Sequence, residues 1–289
     1  MPGGLHHVVH VVRDLDAAGE CYRRLGFQVG GRNRHPWGTH NRVIQLGGSY
    51  IELLTVAEPE EIPGHGARDI SFGALTRDFL VRGEGLAMLA LASPDANADA
   101  ATYKAAGVGD LDVFHFEREG RGPQGAPVKV AFSLAFAQDR EAPQATFFAC
   151  QEHFPENFWN PGAQAHANTA SGISGVVLVA DEPERHRNFL LAFAGLPDAE
   201  NDADGLTMAT TRGSIQVMKP GAFRARFGIA PPDVSRGMRL AAIRFAVADA
   251  SLMQAAPELA GIAGLYAGNA AVIGPEDAMG AVLVFEPGR

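Results

Sequence analysis

One unit recurs four times in this chain, and a repeat of that kind leaves few folds open. Residues 5–27, LHHVVHVVRDLDAAGECYRRLGF, read as a β-branched strand, an Asp, an amphipathic stretch and a Gly. Residues 86–108, 173–196 and 240–262 read the same way. The Asp falls at Asp14, Asp95, Asp181 and Asp249, and the Gly at Gly26, Gly107, Gly195 and Gly261, with spacings of 12, 12, 14 and 12. An Asp there caps a helix start by accepting from orphan N–H groups, and a Gly supplies the left-handed residue past the helix end. Strand-like segments follow each helix. In the first unit these are Phe27–Val29, Asn41–Leu46 and Tyr50–Val56, with a hairpin turn at Gly47-Gly48. Each unit is therefore βαβββ. A single such unit exposes the apolar face of a small curved sheet, so units should pair. The expected fold class is α+β, with four βαβββ units paired into two cup-shaped sheet domains. Units one and two form residues 1–165, and units three and four form residues 166–289. The first strands of units one and two should share a sheet. Residues 154–171, rich in Pro, Asn and Gly, read as the linker, and Pro59–Arg82 as a loop crossing between units.

Charge and composition remove several function classes. The net charge is −9 and the acidic residues are dispersed, so no basic face exists to hold nucleic acid or an anionic membrane. No apolar run approaches the roughly 18 residues of a spanning helix. The N-terminus has neither the basic nor the apolar region of a signal peptide. Cys21 and Cys150, the only cysteines in 289 residues, read as reduced core residues of a cytoplasmic protein and make no thiolate metal site.

Alternation along strands nominates a site. On the first strand His7, Val9 and Val11 share one face, and His6, Val8 and His10 the other. Glu52 sits among Ile51, Leu53 and Leu54 on a second strand, where a buried carboxylate needs a partner. An imidazole and a carboxylate on neighbouring strands can hold a divalent metal. The turn His35-Pro36-Trp37-Gly38-Thr39-His40-Asn41 offers either turn chemistry or substrate contact at a cup's rim, with Trp37 as a stacking wall. On the last strand of unit two, Gln151 and His153 should share a face with Phe147 and Ala149, leaving Cys150 turned away. His166 and Asn168 in the linker should pack.

The stretches Leu5–Ala18, Leu25-Gly26-Phe27, His35–Asn41, Tyr50–Leu53, Phe147–His153 and Pro155–Trp159 resemble the vicinal oxygen chelate superfamily. That group includes glyoxalase I, the bleomycin-resistance proteins and the type I extradiol dioxygenases, and the likeness is to its glyoxalase-like branch. The resemblance implies a divalent metal ion, Zn, Mn, Fe(II) or Ni, held by His7 and Glu52 and completed by Gln151 or His153. It implies catalytic roles for Glu52, His35 and Asn41, and substrate contacts from Trp37, Thr39, Phe147 and Trp159. The positions matching His7 in the other units are Met88, Ser174 and Ala242, and Gln216 matches Glu52 in unit three. The C-terminal pair should therefore be degenerate and enclose no polar pocket. The implied function is a metal-dependent lyase, isomerase or dioxygenase acting on a small oxygenated substrate, as a monomer or homodimer. The alternative, favoured by Met88, is a metal-free protein that binds or sequesters a small molecule.

Overall fold

The computed structural model describes residues 3–121, 126–248 and 264–288. Its first sheet comprises β1 (Leu5–Val11), β2 (Asn33–Arg34), β3 (Thr39–Leu46), β4 (Ser49–Val56), β5 (Gly85–Ala92), β6 (Phe114–Arg121), β7 (Pro127–Ala137) and β8 (Thr146–Glu152). Their order is β2-β3-β4-β1-β5-β8-β7-β6. The second sheet comprises β9 (Ala170–Val179), β10 (Glu200–Asn201), β11 (Gly205–Ala209), β12 (Ser214–Met218), β13 (Arg239–Val247), β14 (Gly264–Ala267), β15 (Ala270–Ile273) and β16 (Val282–Pro287). Their order, β10-β11-β12-β9-β13-β16-β15-β14, repeats the first eight strands later. In each sheet two four-stranded units meet through their first strands, and in the first sheet both units are βαβββ. β1 runs antiparallel to β5, and each has its own unit's last strand beside it in parallel, β4 and β8. The result is two curled, cup-shaped mixed sheets.

The repeat's punctuation works as its chemistry dictates in the first two units. Asp14 accepts from the N–H groups of Asp16 and Ala17, both at 2.9 Å, and opens α1 (Leu15–Arg24). Asp95 does the same for Asn97 and Ala98 at the start of the helix Ala96–Ala105. Gly26, Gly107 and Gly195 all have positive φ. Asp181 does not cap a helix. A 3-10 turn over Pro183–His186 intervenes before the helix Arg187–Ala194, and neither start carries a side-chain cap. Asp249 and Gly261 lie outside the described residues.

Three other segments differ from the sequence reading. The crossing segment 59–82 contains α2 (Phe72–Leu80), opened by the Ser71 hydroxyl on the N–H of Ala74. In chain order the helix after β5 is then α3 (Ala96–Ala105), followed by α4 (Pro155–Phe158), α5 (Arg187–Ala194) and α6 (Pro220–Phe227). Residues 27–29 form no strand, and the short pairing of the first unit is made by Asn33 and Arg34 instead. The linker packs on the first sheet. The His166 Nδ1 accepts from the N–H of Gln28 at 2.9 Å, so its Nε2 donates to the carbonyl of Gln45 at 2.7 Å.

Both strands of the central pair carry a β-bulge. Leu5 and His7 oppose Leu91 and Ala90, so His6 is an extra residue in β1, and Ala87 is the matching extra residue in β5. A bulge breaks the two-residue alternation. Leu5 and Val8 consequently point to the same side, into the largest apolar cluster, while Val9 and Val11 point into the cup.

That largest cluster is shared. It joins Leu5, Val8 and Tyr22 of the first half to Val176, Phe193 and Phe285 of the second. α1, α3 and α5 all bury apolar faces in it. The opposite faces of the sheets curl around separate clusters, one per cup. The halves also interlock at the strand ends. Leu5 donates its N–H to the Arg212 carbonyl at 2.8 Å, and the Arg212 guanidinium donates to the Gly48 carbonyl. Among the described residues no helix is long and apolar enough to cross a membrane.

Candidate functional site

β1 delivers His7 to the floor of the N-terminal cup, where its ring stacks on Tyr50 of β4 at 4.3 Å between centroids. Glu52, two residues beyond Tyr50, shares that face and lies level with Val9. Its Oε1 accepts from Asn41 Nδ2 at 2.6 Å, and its Oε2 lies 3.9 Å from His7 Nε2, too long for a hydrogen bond. The amide of Asn41 is fully committed. Its Oδ1 accepts from Asn33 Nδ2 at 2.9 Å, and Nδ2 also reaches His35 Nε2 at 3.3 Å. Because Nε2 of His35 must then accept, its Nδ1 carries the proton and donates to Thr39 Oγ1 at 2.9 Å. Thr39, His35 and Asn41 thus form one oriented chain that ends on Glu52.

Electrostatics follow from burial. Glu52 is only 7 % exposed, and desolvation pushes its pKa up to about 7, with Asn41 and Arg118 pulling it back. Burial, then the charges of Arg118 and His40, depress His35 to about 3, which keeps it neutral. Burial and the adjacent His6 hold His7 well below its ordinary value. Aromatic side chains build the walls: Trp37, Phe72, Phe116, Phe132, Phe148 and Phe158. Trp37 stacks on His35 at 4.7 Å and meets Phe116 edge-on at 4.9 Å. The space between these walls measures about 510 Å³ when the open mouth is counted, and its interior is narrow, with about 40 Å³ open to the centre of a water-sized sphere.

Five of the nominated residues line this pocket: His7, His35, Trp37, Asn41 and Glu52. Thr39 stands behind His35. Four lie elsewhere. Phe147 points out of the cup into the shared core, against Phe189 and Phe193. Gln151 is on the same outer side, where its Oε1 accepts from the N–H of Ala96 at 3.1 Å, at the start of α3. His153 is exposed and pairs with Ser133 Oγ at 2.8 Å. Trp159 lies behind Tyr50, donating to Glu152 Oε2 at 2.8 Å in a neighbouring hollow that His6 also lines. The expected face of β8 is inverted, and Phe148 and Cys150 are the ones that face the pocket. Sequence reasoning also missed Arg118, although Phe114, Phe116 and Arg118 alternate on β6 and could have been read as one face.

The donor set does not fit the expected ion site. His7 and Glu52 bring two ligands, whereas catalytic metal sites take three from the protein. Met88 is apolar, and Gln151 and His153 are elsewhere. Among the described residues a different group gathers: one ligand atom each from His6, His7 and Cys150, all within 4.8 Å of one another. The bulge explains it, because it turns His6 to the side of His7, and the inverted face of β8 supplies Cys150. Cys150 is thus a ligand-type side chain beside two imidazoles, contrary to its reading as inert core. In this structure the Nδ1 atoms of His6 and His7 lie 2.8 Å apart, hydrogen-bonded to each other.

The C-terminal cup is polar, contrary to expectation. Ser174 Oγ donates to Glu286 Oε1 at 2.8 Å, Arg244 Nη2 meets the same carboxylate at 2.8 Å, and Arg226 donates to Gln216 Oε1 at 3.1 Å. Ala242 lies in the apolar cluster of that cup.

Paired βαβββ units curled around a buried pocket define a protein of the vicinal oxygen chelate superfamily. By its match to the family profile over residues 5–193, the chain belongs to the glyoxalase-like domain family. A search of curated proteins by sequence found no match. Among solved structures, a hypothetical protein from Staphylococcus aureus is similar at 15% identity and a TM-score of 0.67, over 99% of this chain and 100% of its own. A mutant 4-hydroxymandelate synthase from Streptomyces coelicolor is similar at 12% identity and 0.60, over 100% of this chain and 94% of its own. A fusion of a xylose isomerase-like TIM barrel with a 4-hydroxyphenylpyruvate dioxygenase is similar at 15% and 0.51, over 92% of this chain and 40% of its own. At such identities the likeness is one of fold.

Proposed function

We propose that this protein is an enzyme that moves a proton on a small, largely apolar, oxygenated molecule held in the N-terminal cup, with Glu52 as the base. The observation that carries this is the placement of Glu52. Among the described residues it is the one carboxylate lining an aromatic pocket, locked through one oxygen by Asn41 and turned through the other toward His7. Burying a carboxylate costs several kcal/mol, and a passive receptor for an apolar molecule gains nothing from that cost. The chain Thr39–His35–Asn41 holds the head in one orientation. A substrate proton passes to Oε2, and His7, which lines the same pocket, faces the charge that develops on the substrate oxygen. Proton abstraction beside a carbonyl, the opening step of isomerase and lyase chemistry, suits this set.

The test is proton exchange. A panel of small enolisable carbonyl compounds incubated with the protein in D₂O should show protein-dependent loss of C–H signals by NMR. Glu52→Gln should lower the exchange rate by at least about 10²-fold, the low end of a general base's contribution. Wild-type protein that binds members of the panel and exchanges none would leave a binding protein of the same fold.

A second reading, a metal-dependent enzyme of lyase or dioxygenase type, is favoured by the gathering of His6, His7 and Cys150, and by the fold shared with the synthase and dioxygenase above. Its ligands would be those three residues in place of the set first expected. Elemental analysis separates the readings. Stoichiometric metal that is lost in His6→Ala and Cys150→Ala but kept in Glu52→Gln supports it, and wild-type protein expressed in metal-supplemented medium without bound metal removes it.

A further inference from the structure

β6 presents Phe114, Phe116 and Arg118 to one side by simple alternation, and Glu117 and Glu119 to the other. Glu117 is taken by Lys129 across the strand pair at 2.5 Å. Arg118 is different. It is half-buried and lines the pocket with Glu52, yet among the described residues no carboxylate comes within ion-pair distance of it. Its one hydrogen bond there is a long one, from Nη1 to the carbonyl of Glu119 at 3.4 Å. A guanidinium has five N–H donors, and recessed arginines are normally paired. Arg244, comparably recessed in the other cup, shows the usual arrangement, forked on Glu286. Glu52 does not serve Arg118, because its head is held by Asn41 and turned toward His7. The same pocket contains a second donor without a protein acceptor, the buried indole N–H of Trp37. Its walls are flat and aromatic. Donors therefore exceed acceptors around a slot shaped for a ring.

We infer that the ligand of this pocket is an aromatic carboxylate, its ring held between the aromatic walls and its carboxylate paired with Arg118. The fork of the guanidinium matches a planar carboxylate in two parallel hydrogen bonds, which also fixes the ligand's direction. The inference rests on the pocket being the substrate site, as proposed above, and adds the class of molecule that fills it.

Titration calorimetry with 3-phenylpropionate and its uncharged amide, 3-phenylpropionamide, tests it on the whole chain. Wild-type protein should bind the carboxylate at least about tenfold more tightly than the amide, the smaller end of a charge-assisted contact. Arg118→Gln should erase that preference while leaving affinity for the amide within about twofold, which shows the pocket to be intact. Arg118→Lys, which keeps the charge without the fork, should retain part of the preference and serves if the Gln variant folds poorly. No preference in the wild type, a preference unchanged in Arg118→Gln, or no binding of either probe would overturn the inference. Arg118-dependent binding without C–H exchange in any carbonyl compound would sink the proton-transfer reading alone and leave this one standing.

Discussion

Phe147→Ala should destabilise the protein by about 3–5 kcal/mol, the range for removing a fully buried Phe. Phe147 is fully buried and meets Phe189 at 5.0 Å and Phe193 at 5.3 Å, both on α5 of the other half. Tyr103 closes the same contact by donating its hydroxyl to the Phe193 carbonyl at 3.1 Å. The cavity would open in the cluster that joins the two sheets, so the loss should appear in one urea transition that takes both halves together. Circular dichroism and tryptophan fluorescence should report the same shifted midpoint. Ligand binding in the N-terminal cup, measured well below that midpoint, should be unchanged. A variant of wild-type stability that loses ligand binding would show that Phe147 faces the cup after all.

Acid should weaken the fold, and His10 should account for a large share. The ring is fully buried on the outer side of β1. Its Nε2 has only a carbonyl to meet, that of Met279 at 2.9 Å, so Nε2 carries the proton and bare Nδ1 accepts from the Tyr22 hydroxyl at 2.8 Å. Protonation of Nδ1 breaks that match and charges a buried ring. Burial lowers the pKa from 6.5 to about 4, against smaller upward pulls from the Met279 carbonyl and the charge of Glu84. Between those values the unfolded chain binds a proton that the folded one refuses, so stability rises with pH there. His10's contribution is complete above pH 6.5 and is lost as pH falls toward 4, amounting to about 3 kcal/mol. The neutral His35 adds in the same direction, while Glu52, raised to about 7, opposes it. Comparing His10→Gln with wild type isolates the one ring. Urea midpoints between pH 7.5 and 4.5 should fall less steeply in the variant, and parallel slopes would count against this account of His10.

Much of the fold was legible because its signals are local. An Asp ahead of an amphipathic stretch and a Gly twelve residues on describe a helix start and end in terms of the helix's own N–H and C=O groups, and at Asp14 and Asp95 nothing distant interferes. Asp181 fails for an equally local reason: Pro183 opens a 3-10 turn before the helix begins. The convergence of His7 and Glu52 was also readable, since a polar residue inside an apolar strand has few places to go.

What the sequence could not decide is where strands slip and which of two apolar faces looks inward. The bulge at His6 depends on how β1 meets β5, a partner some eighty residues away, and it moves His6 to the side of His7. β8 is apolar on both faces, with Phe147 and Ala149 on one and Phe148 and Cys150 on the other, so alternation alone cannot assign them. Tertiary packing does, because one face must meet α5 and the other must line the cup. That choice removes Gln151 and Phe147 from the site and brings in Cys150. Arg118 was visible as a residue, but its meaning was not. Only the closed sheet shows that Glu52 is already held by Asn41 and that no other described carboxylate pairs with this guanidinium, because pairing is a property of neighbours in space.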